Sequence, residues 1–513
     1  MAKTSIYFMS VMMIFSATRA VDAELVPVGL QKQLLVDDYV IAQKQNITRE
    51  LGKPKKMGVV MKASVPTDFH PTKQFPDGLP KSGHNGVGYR MTVLWNEQQE
   101  IFQMLYRASA EDLTAYAESK DGIHWTKPFI ADDGKSNLIT YRGKTRGTFY
   151  EASFMIDPTV PWGHPEKYKA AYNPGNTMCA IAYSADGIHW KGYNKGESVT
   201  GRAADTHNQI LWDPIGCRYL LLTRTDLGAE GGENEDRATR VMAHEKRNDL
   251  LSYPRAWKTL AAVTVDDPLD EKTQAGVTVL QMEAMTVWVY ENVYFGLMHV
   301  LTAGEIMGVG SDGKGEDLDA RPETDVIDFY IGTSRDAVDF DMSWVHTRQP
   351  LIERGEAGSF DKSLIMATSE IITRGDEHWI YYQGEDCQHH GARPAGSKGG
   401  QIGLATLRLD GFVCLEASDE WGQVTTKPFK LEGDTLEVNV DASQGEFLVE
   451  VLDASNKPYR GYGGDRSRAS KGVDDLRFKP RWQDSQDLTG LKGQVVKLKF
   501  RMRNAKLYAF QIK

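Results

Sequence analysis

Cysteine is scarce in this sequence: four residues in 513, Cys179, Cys217, Cys387 and Cys414, with no CxxC pair and no metal-ligand spacing among them. Nothing in that spacing calls for a disulfide framework, and a chain this long builds a core without one, so buried cysteines, free or singly paired, are expected. Positive charge is not in excess either, with 60 Lys and Arg against 70 Asp and Glu and a net charge of −10. That balance, with no basic run interleaved with aromatics, argues against nucleic-acid binding. Long apolar runs are missing beyond Ile6 to Phe15, which is too short to span a bilayer. A nucleotide loop, HExxH and GxSxG are also missing, so phosphoryl, hydride and serine-elbow chemistry have no support.

The first 23 residues carry Lys3, then the apolar run, then small residues at Thr18-Arg19-Ala20 and Val21-Asp22-Ala23 that suit a signal-peptidase site. A secretory signal is expected over 1–23, leaving an exported or periplasmic protein with no membrane anchor, since no cysteine follows the run to take a lipid. Without that segment the net charge is about −11.

What is present is a repeat. YAESKDGIHW, Tyr116 to Trp125, returns as AYSADGIHW, Ala182 to Trp190. Weaker echoes end at Trp257 and Trp344, and a fifth, IGLATLRLDGF, keeps Asp410-Gly411 with Phe412 in the Trp place. The steps between these aromatic positions are 65, 67, 87 and 68 residues. The Asp-Gly pair suits a tight turn with positive φ, and the Trp after it suits a wedge between sheets. A lone four-stranded sheet cannot bury both its faces, whereas a radial array does so against its neighbours. Five sheets over about 84–130, 147–200, 203–262, 276–348 and 358–412 are therefore expected to form a five-bladed β-propeller. The isolated strand pattern LLVDDYVIA, Leu34 to Ala42, is expected to complete the last blade and close the ring. From Val413 onward, alternating strands without the blade signature indicate a C-terminal β-sandwich, so the all-β chain divides into 24–412 and 413–513.

Each blade opens on a strand with a polar head, and five such heads converge on one mouth of the axis. They carry Glu151, Asp205, Glu283 and Asp361, with His84, Asn85, His207 and Asn208 beside them. Clustered carboxylates are what glycoside hydrolysis needs, one protonated to assist the leaving oxygen and one ionised to activate water or attack carbon. Close like charges raise one pKa and so create that split. Tyr89, Tyr150, Trp95 and Trp288 are candidates for stacking on sugar faces, and Arg202 and Arg224 for neutralising an anionic substituent. His389 and His390, in EDCQHHG, are placed for a substrate contact or proton donation, but adjacent residues seldom ligate one ion together. The acidic loop Ser311 to Asp325 lacks EF-hand spacing, so no metal and no cofactor is expected.

LLVDDYVIA, both SxDGIHW copies, FMIDP with EKYKAAY, SRD at Ser334 to Asp336, GSFDKSLI, WIYYQG and IGLATLRLDGF resemble a group of secreted bacterial proteins similar to the N-terminal domain of glycoside hydrolase family 32. The resemblance covers nearly the whole chain after residue 23. It implies a five-bladed propeller of the kind found in families 32, 43 and 117, acting on glycosides through paired carboxylates in an axial pocket. The chain departs from those relatives at the first blade, where His84-Asn85 stands in place of an Asp, while Asp157-Pro158 lies at the far end of its strand. The expected activity is exo-acting hydrolysis of an algal or plant polysaccharide or its oligosaccharides, with Glu283 as general acid, Asp205 as base or nucleophile, and Asp361 or Glu151 orienting the sugar or shifting the acid. Alternatives are a non-catalytic carbohydrate-binding propeller, or a lyase in which His84 or Tyr150 abstracts a proton beside a carboxylate held by Arg202. The sequence leaves the oligomeric state open.

Overall fold

The computed structural model describes residues 25–69, 86–108, 113–132, 134–142, 149–175, 178–200, 207–226, 237–265, 278–304, 326–389, 397–483 and 485–513. The chain is almost all β, and the four residues Ser343–His346 are the one α-helix among the described residues. No described helix is long and apolar enough to cross a membrane.

Four sheets, mostly antiparallel, follow one another along the chain, and the last of them divides into two antiparallel groups. The first is Gly88–Asn96, Ile101–Ala108 and Leu113–Ser119; the second runs from Tyr150–Ile156 through Tyr168–Asn173 and Ala180–Ser184 to His189–Gly192. The third begins at Gln209–Asp213; the eight-stranded sheet holds a fourth group beginning at Thr278–Tyr290 and a fifth beginning at Leu364–Ala367, joined by a parallel pairing of Ile327 with Leu364. Their first strands are neighbours in order: Gly88–Asn96 packs on Tyr150–Ile156, that on Gln209–Asp213, and that on Thr278–Tyr290. Leu364–Ala367 lies against both Val293–Gly304 of the fourth group and Gly88–Asn96, so the packing returns to its start. These strands are buried on both faces, which is why they read as near-continuous apolar runs.

Polar side chains tie four of the five groups together at their first strands. Thr92 meets Ser369 (Oγ1 to Oγ, 2.8 Å), and Thr368 Oγ1 accepts the Val93 N–H. The Gln209 amide donates to the carbonyls of Val287 (2.9 Å) and Ser369 (3.1 Å) and accepts from the Val287 N–H (2.7 Å). One buried glutamine therefore bridges three groups.

The repeated turn is built as its sequence suggests. Asp121 Oδ1 accepts the N–H of Ile123 and of His124, Ser119 Oγ accepts that of Gly122, and Trp125 Nε1 donates to the Gly122 carbonyl. The same bonds recur from Ser184 to Trp190.

Two sequence expectations need correction. The strand that completes the fifth group is Lys55–Met61, paired with Gln401–Arg408, and not the stretch 34–42. Leu34 pairs instead with Ala509, and Ile41–Gln45 with Gly422–Thr426, so the N-terminal segment belongs to the C-terminal sheet. The physical reason is core composition: Leu35, Val40 and Ile41 enter the same cluster as Val438, Phe447, Leu498 and Phe510. Within that part, Leu436–Leu452 pairs with Ala505–Ile512 over its first half and with Val495–Arg503 over its second, so one long strand links the two halves of a ten-stranded sheet around a shared core.

Candidate active site at the strand heads

Three of the first strands lose their register at the mouth, each beside a charged residue. In the first group three residues, 89 to 91, stand opposite Tyr106 alone. In the second, Glu151 and Ala152 stand opposite Tyr172, and in the fourth Glu283 is the extra residue between Met282 and Ala284. Bulges of this kind bend a strand and re-aim a side chain. The backbone records the effect at Arg90 (φ 61°), Phe149 (φ 57°) and Glu151 (φ 57°), left-handed values that cost non-glycine residues about 1 kcal/mol or more and cluster at functional sites.

The bulges bring two guanidinium–carboxylate pairs into the mouth. Arg90 and Glu151 form an ion pair with both side chains almost fully enclosed. Arg224 Nη1 lies 3.6 Å from Glu283 Oε2, and these side chains are 4% and 6% exposed. Between the pairs, His207 and His299 stack with ring centres 6.2 Å apart and planes 23° from parallel. Burial holds both imidazoles neutral, assisted at His207 by His299 and Arg90, and at His299 by Arg90, whose charge helps push that ring down to about 3. The backbone of Ala152 lies beside His207 and that of Ala367 beside His299, but among the described residues neither ring nitrogen of His207 nor Nε2 of His299 has a well-formed hydrogen bond. Buried polar atoms left this way are where water or a ligand's hydroxyl groups enter.

On the flank, Arg90, Arg107, Tyr150 and Glu151 line an indentation of about 270 Å³, partly open to solvent, with the Arg107 guanidinium 5.3 Å from the centre of the Tyr150 ring. The free space within it is only about 10 Å³, room for about one water molecule, so a larger group would need these side chains to move. The fifth group contributes Glu385, fully buried, which accepts from Gln383 Nε2 (2.5 Å) and Cys387 Sγ (3.2 Å).

Of the residues singled out in the sequence, Glu151, Glu283, His207 and Tyr150 come together here. Asn208 is adjacent, but its amide is used in lacing: Nδ2 donates to the Glu151 carbonyl (3.0 Å) and Oδ1 accepts from Thr223 (2.7 Å). His389 sits partly buried on the turn that follows Glu377–Glu385. Asp361 is buried and accepts from Lys56 Nζ (2.6 Å) and Tyr382 OH (3.1 Å), both within the fifth group. Trp288 is core, stacked on Tyr290 with centres 5.0 Å apart. Asp157 is likewise internal, bonded to Lys169 and Tyr219. His84, Asn85, Arg202, Asp205 and His390 lie outside the described residues, as does the acidic loop from Ser311 to Asp325. Among the described residues no group of three or more His, Cys, Asp or Glu could hold a metal ion.

Sequence reasoning missed Arg90, Arg107, His299 and Glu385. Arg90 had a readable signal, since it follows Gly86 and Gly88 in a strand head, where glycines mark irregular backbone. His299 had none, being a single polar residue inside an apolar strand.

No protein-family model matches the sequence, and no curated protein matches it. Solved structures of similar shape include an N-acetylgalactosamine deacetylase from F. plautii in complex with blood group B trisaccharide, at 14% identity and a TM-score of 0.42, covering 71% of this chain and 96% of that one. The catalytic domain of the family-62 α-L-arabinofuranosidase of Coprinopsis cinerea is similar at 12% identity and a TM-score of 0.41, covering 70% and 97%. A fructofuranosidase from Schwanniomyces occidentalis complexed with fructosylnystose is similar at 11% identity and a TM-score of 0.37, covering 88% and 98%. Likeness at this level transfers no residue role.

Proposed function

We propose that the protein is an exported glycoside hydrolase, a five-bladed propeller with a C-terminal β-sandwich, acting from chain ends on an algal or plant polysaccharide or its oligosaccharides. The supporting observation is the convergence of Glu151 and Glu283, from two bulged strands, on one enclosed polar mouth with His207 and His299.

In this reading Glu283 protonates the departing oxygen, Asp205 serves as base or nucleophile, and Glu151 orients the sugar. The two imidazoles and the Tyr150 wall contact hydroxyl groups and a ring face. Asp361, held by Lys56 and Tyr382, is the alternative to Glu151 for that orienting role. Glu283→Gln should reduce turnover by at least a thousandfold with the thermal midpoint kept within a few degrees, the loss expected of a removed general acid. Turnover within tenfold of wild type would remove Glu283 from the mechanism. The activity itself is tested on a panel of algal and plant oligosaccharides: products that together exceed the parent mass by one water mean hydrolysis.

One observation favours a second reading, a propeller that binds carbohydrate without cleaving it. Glu151 and Glu283 are both engaged by arginines, an arrangement that suits recognition as well as chemistry. Tight binding across the panel with no product of any mass would decide for it.

A further inference from the structure

A second candidate site lies away from the strand heads, on the outer face of the C-terminal layers. Along Val495–Arg503 buried and half-exposed residues alternate without interruption. Val496, Leu498, Phe500 and Met502 enter the core, so Lys497, Lys499, Arg501 and Arg503 all stand on the opposite face. Alternate residues of a strand are about 6.8 Å apart, so the four cations form an evenly spaced row.

The neighbouring strands supply flat, polar flanks. Gln423 is opposite Arg501 and Thr425 opposite Lys499; one strand further, Gln45 is opposite Gln423 and Gln43 opposite Thr425. Gln423 Nε2 donates to Gln45 Oε1 at 2.6 Å, which orients both amides. At the corner Trp421 is half-buried with the Arg501 and Arg503 guanidinium groups each 5.4 Å from its ring centre. Acids are few: Glu446 holds Arg503 (2.5 Å) and Lys471 (3.1 Å), and Glu450 holds Lys499 (3.4 Å). Among the described residues no carboxylate pairs with Lys497 or Arg501. The row and Lys471 set five cations against two paired carboxylates, and the exposed Asp419 and Glu420 beside Trp421 bring the excess down to one, on a chain whose net charge is −10.

We infer that this face binds an anionic polysaccharide. Arg501 and Lys497 take sulfate or carboxylate groups, Trp421 stacks on a sugar ring, and the Gln423 and Gln45 amides bond hydroxyl groups. The inference rests on the charge and chemistry of the face and is independent of the hydrolase reading.

The test is affinity electrophoresis of the full chain in gels containing dextran sulfate, alginate or neutral dextran. Retardation is expected in at least one anionic gel and not in neutral dextran, decreasing as salt rises because exposed charges are screened. Which anionic gel retards tells sulfate from carboxylate recognition. Arg501→Gln and Trp421→Ala should each weaken it at least fivefold, and so should Lys497→Gln, which touches no aromatic ring and leaves the fold intact. Glu283→Gln should be retarded like wild type, so failure of the hydrolase reading does not imitate failure here. Absence of retardation in both anionic gels overturns the proposal, as does equal retardation of wild type and all three surface variants, or retardation in dextran sulfate that double-stranded DNA abolishes at equal charge.

Discussion

At the level of single residues, the turn that recurs in the first and second sheets exists in a third, altered form. From Ser334 onward Asp336 Oδ1 accepts the N–H of Val338 and of Asp339, and Ser334 Oγ that of Ala337. Ala337 takes the left-handed position (φ 64°) that Gly122 (φ 78°) and Gly187 (φ 80°) hold in the others. A Cβ at Gly122 would also lie 2.5 Å from the Tyr381 hydroxyl. Gly122→Ala should therefore destabilise the fold by about 1–3 kcal/mol, while Ala337→Gly should be neutral or stabilising by up to about 1 kcal/mol. Chemical denaturation of both variants checks the opposite signs.

Buried histidines set a pH dependence at the same scale. His378 accepts the Asp410 N–H at 3.1 Å, and burial brings its ring down to about 4, as it brings His299 to about 3. The unfolded chain takes up these protons near the ordinary histidine value of about 6.5, before the folded chain does, so stability is complete above that pH and declines as pH falls towards 4. The thermal midpoint should drop by several degrees between pH 7 and pH 4, and His378→Asn should make that slope shallower. An unchanged slope in the variant would remove His378 from the account.

At the level of elements, ring closure depends on Lys55–Met61, seven residues whose outward side chains are largely exposed. Lys56 nevertheless reaches the buried Asp361 carboxylate, tying the outermost strand to the first strand's approach. Lys56 is about a third exposed, so its removal is discounted from the full cost of stranding a buried charge: Lys56→Met should destabilise by about 1–2 kcal/mol. Turnover per folded molecule should remain at the wild-type value, and a large loss would favour Asp361 over Glu151 as the orienting group. The bulges make the complementary point: strand alternation predicts which residues face a core, and it fails at Arg90, Glu151 and Glu283 because an inserted residue reverses the alternation beyond it.

For the whole molecule, the ring and the C-terminal layers are joined at several points. Lys32 and Tyr290 both meet Asp410 Oδ1 (2.9 and 2.7 Å), Asn439 meets Asp410 Oδ2 (3.0 Å), and Arg335 holds Asp37. One apolar cluster contains Leu34 and Ala509 together with Trp288, Phe295 and Phe412. Calorimetry should show one unfolding transition, because N-terminal strands complete the C-terminal sheet as well as the last group of the ring. Residues 413–513 expressed alone should be insoluble, lacking the strands at 33–51 that cover their edges. Two resolved transitions, or a soluble fragment with native sheet signal, would refute that coupling.

What the sequence determined by itself was local. The Ser-x-Asp-Gly turn with its following Trp, the apolar runs of the first strands and the alternation of the last hundred residues each depend on neighbours in the chain, so their patterns were readable. Glu151 and Glu283 were legible as polar heads on apolar strands. The tertiary structure alone decided which strand closed the ring, since Lys55–Met61 carries no apolar alternation and is held by backbone pairing with Gln401–Arg408. It alone decided that Asp361 answers Lys56 across 305 residues of sequence, and that Arg90, His207 and His299 meet between two carboxylates. Ion pairs and stacked rings have no period and no preferred spacing, because their partners are set by how sheets pack and not by the path of one strand.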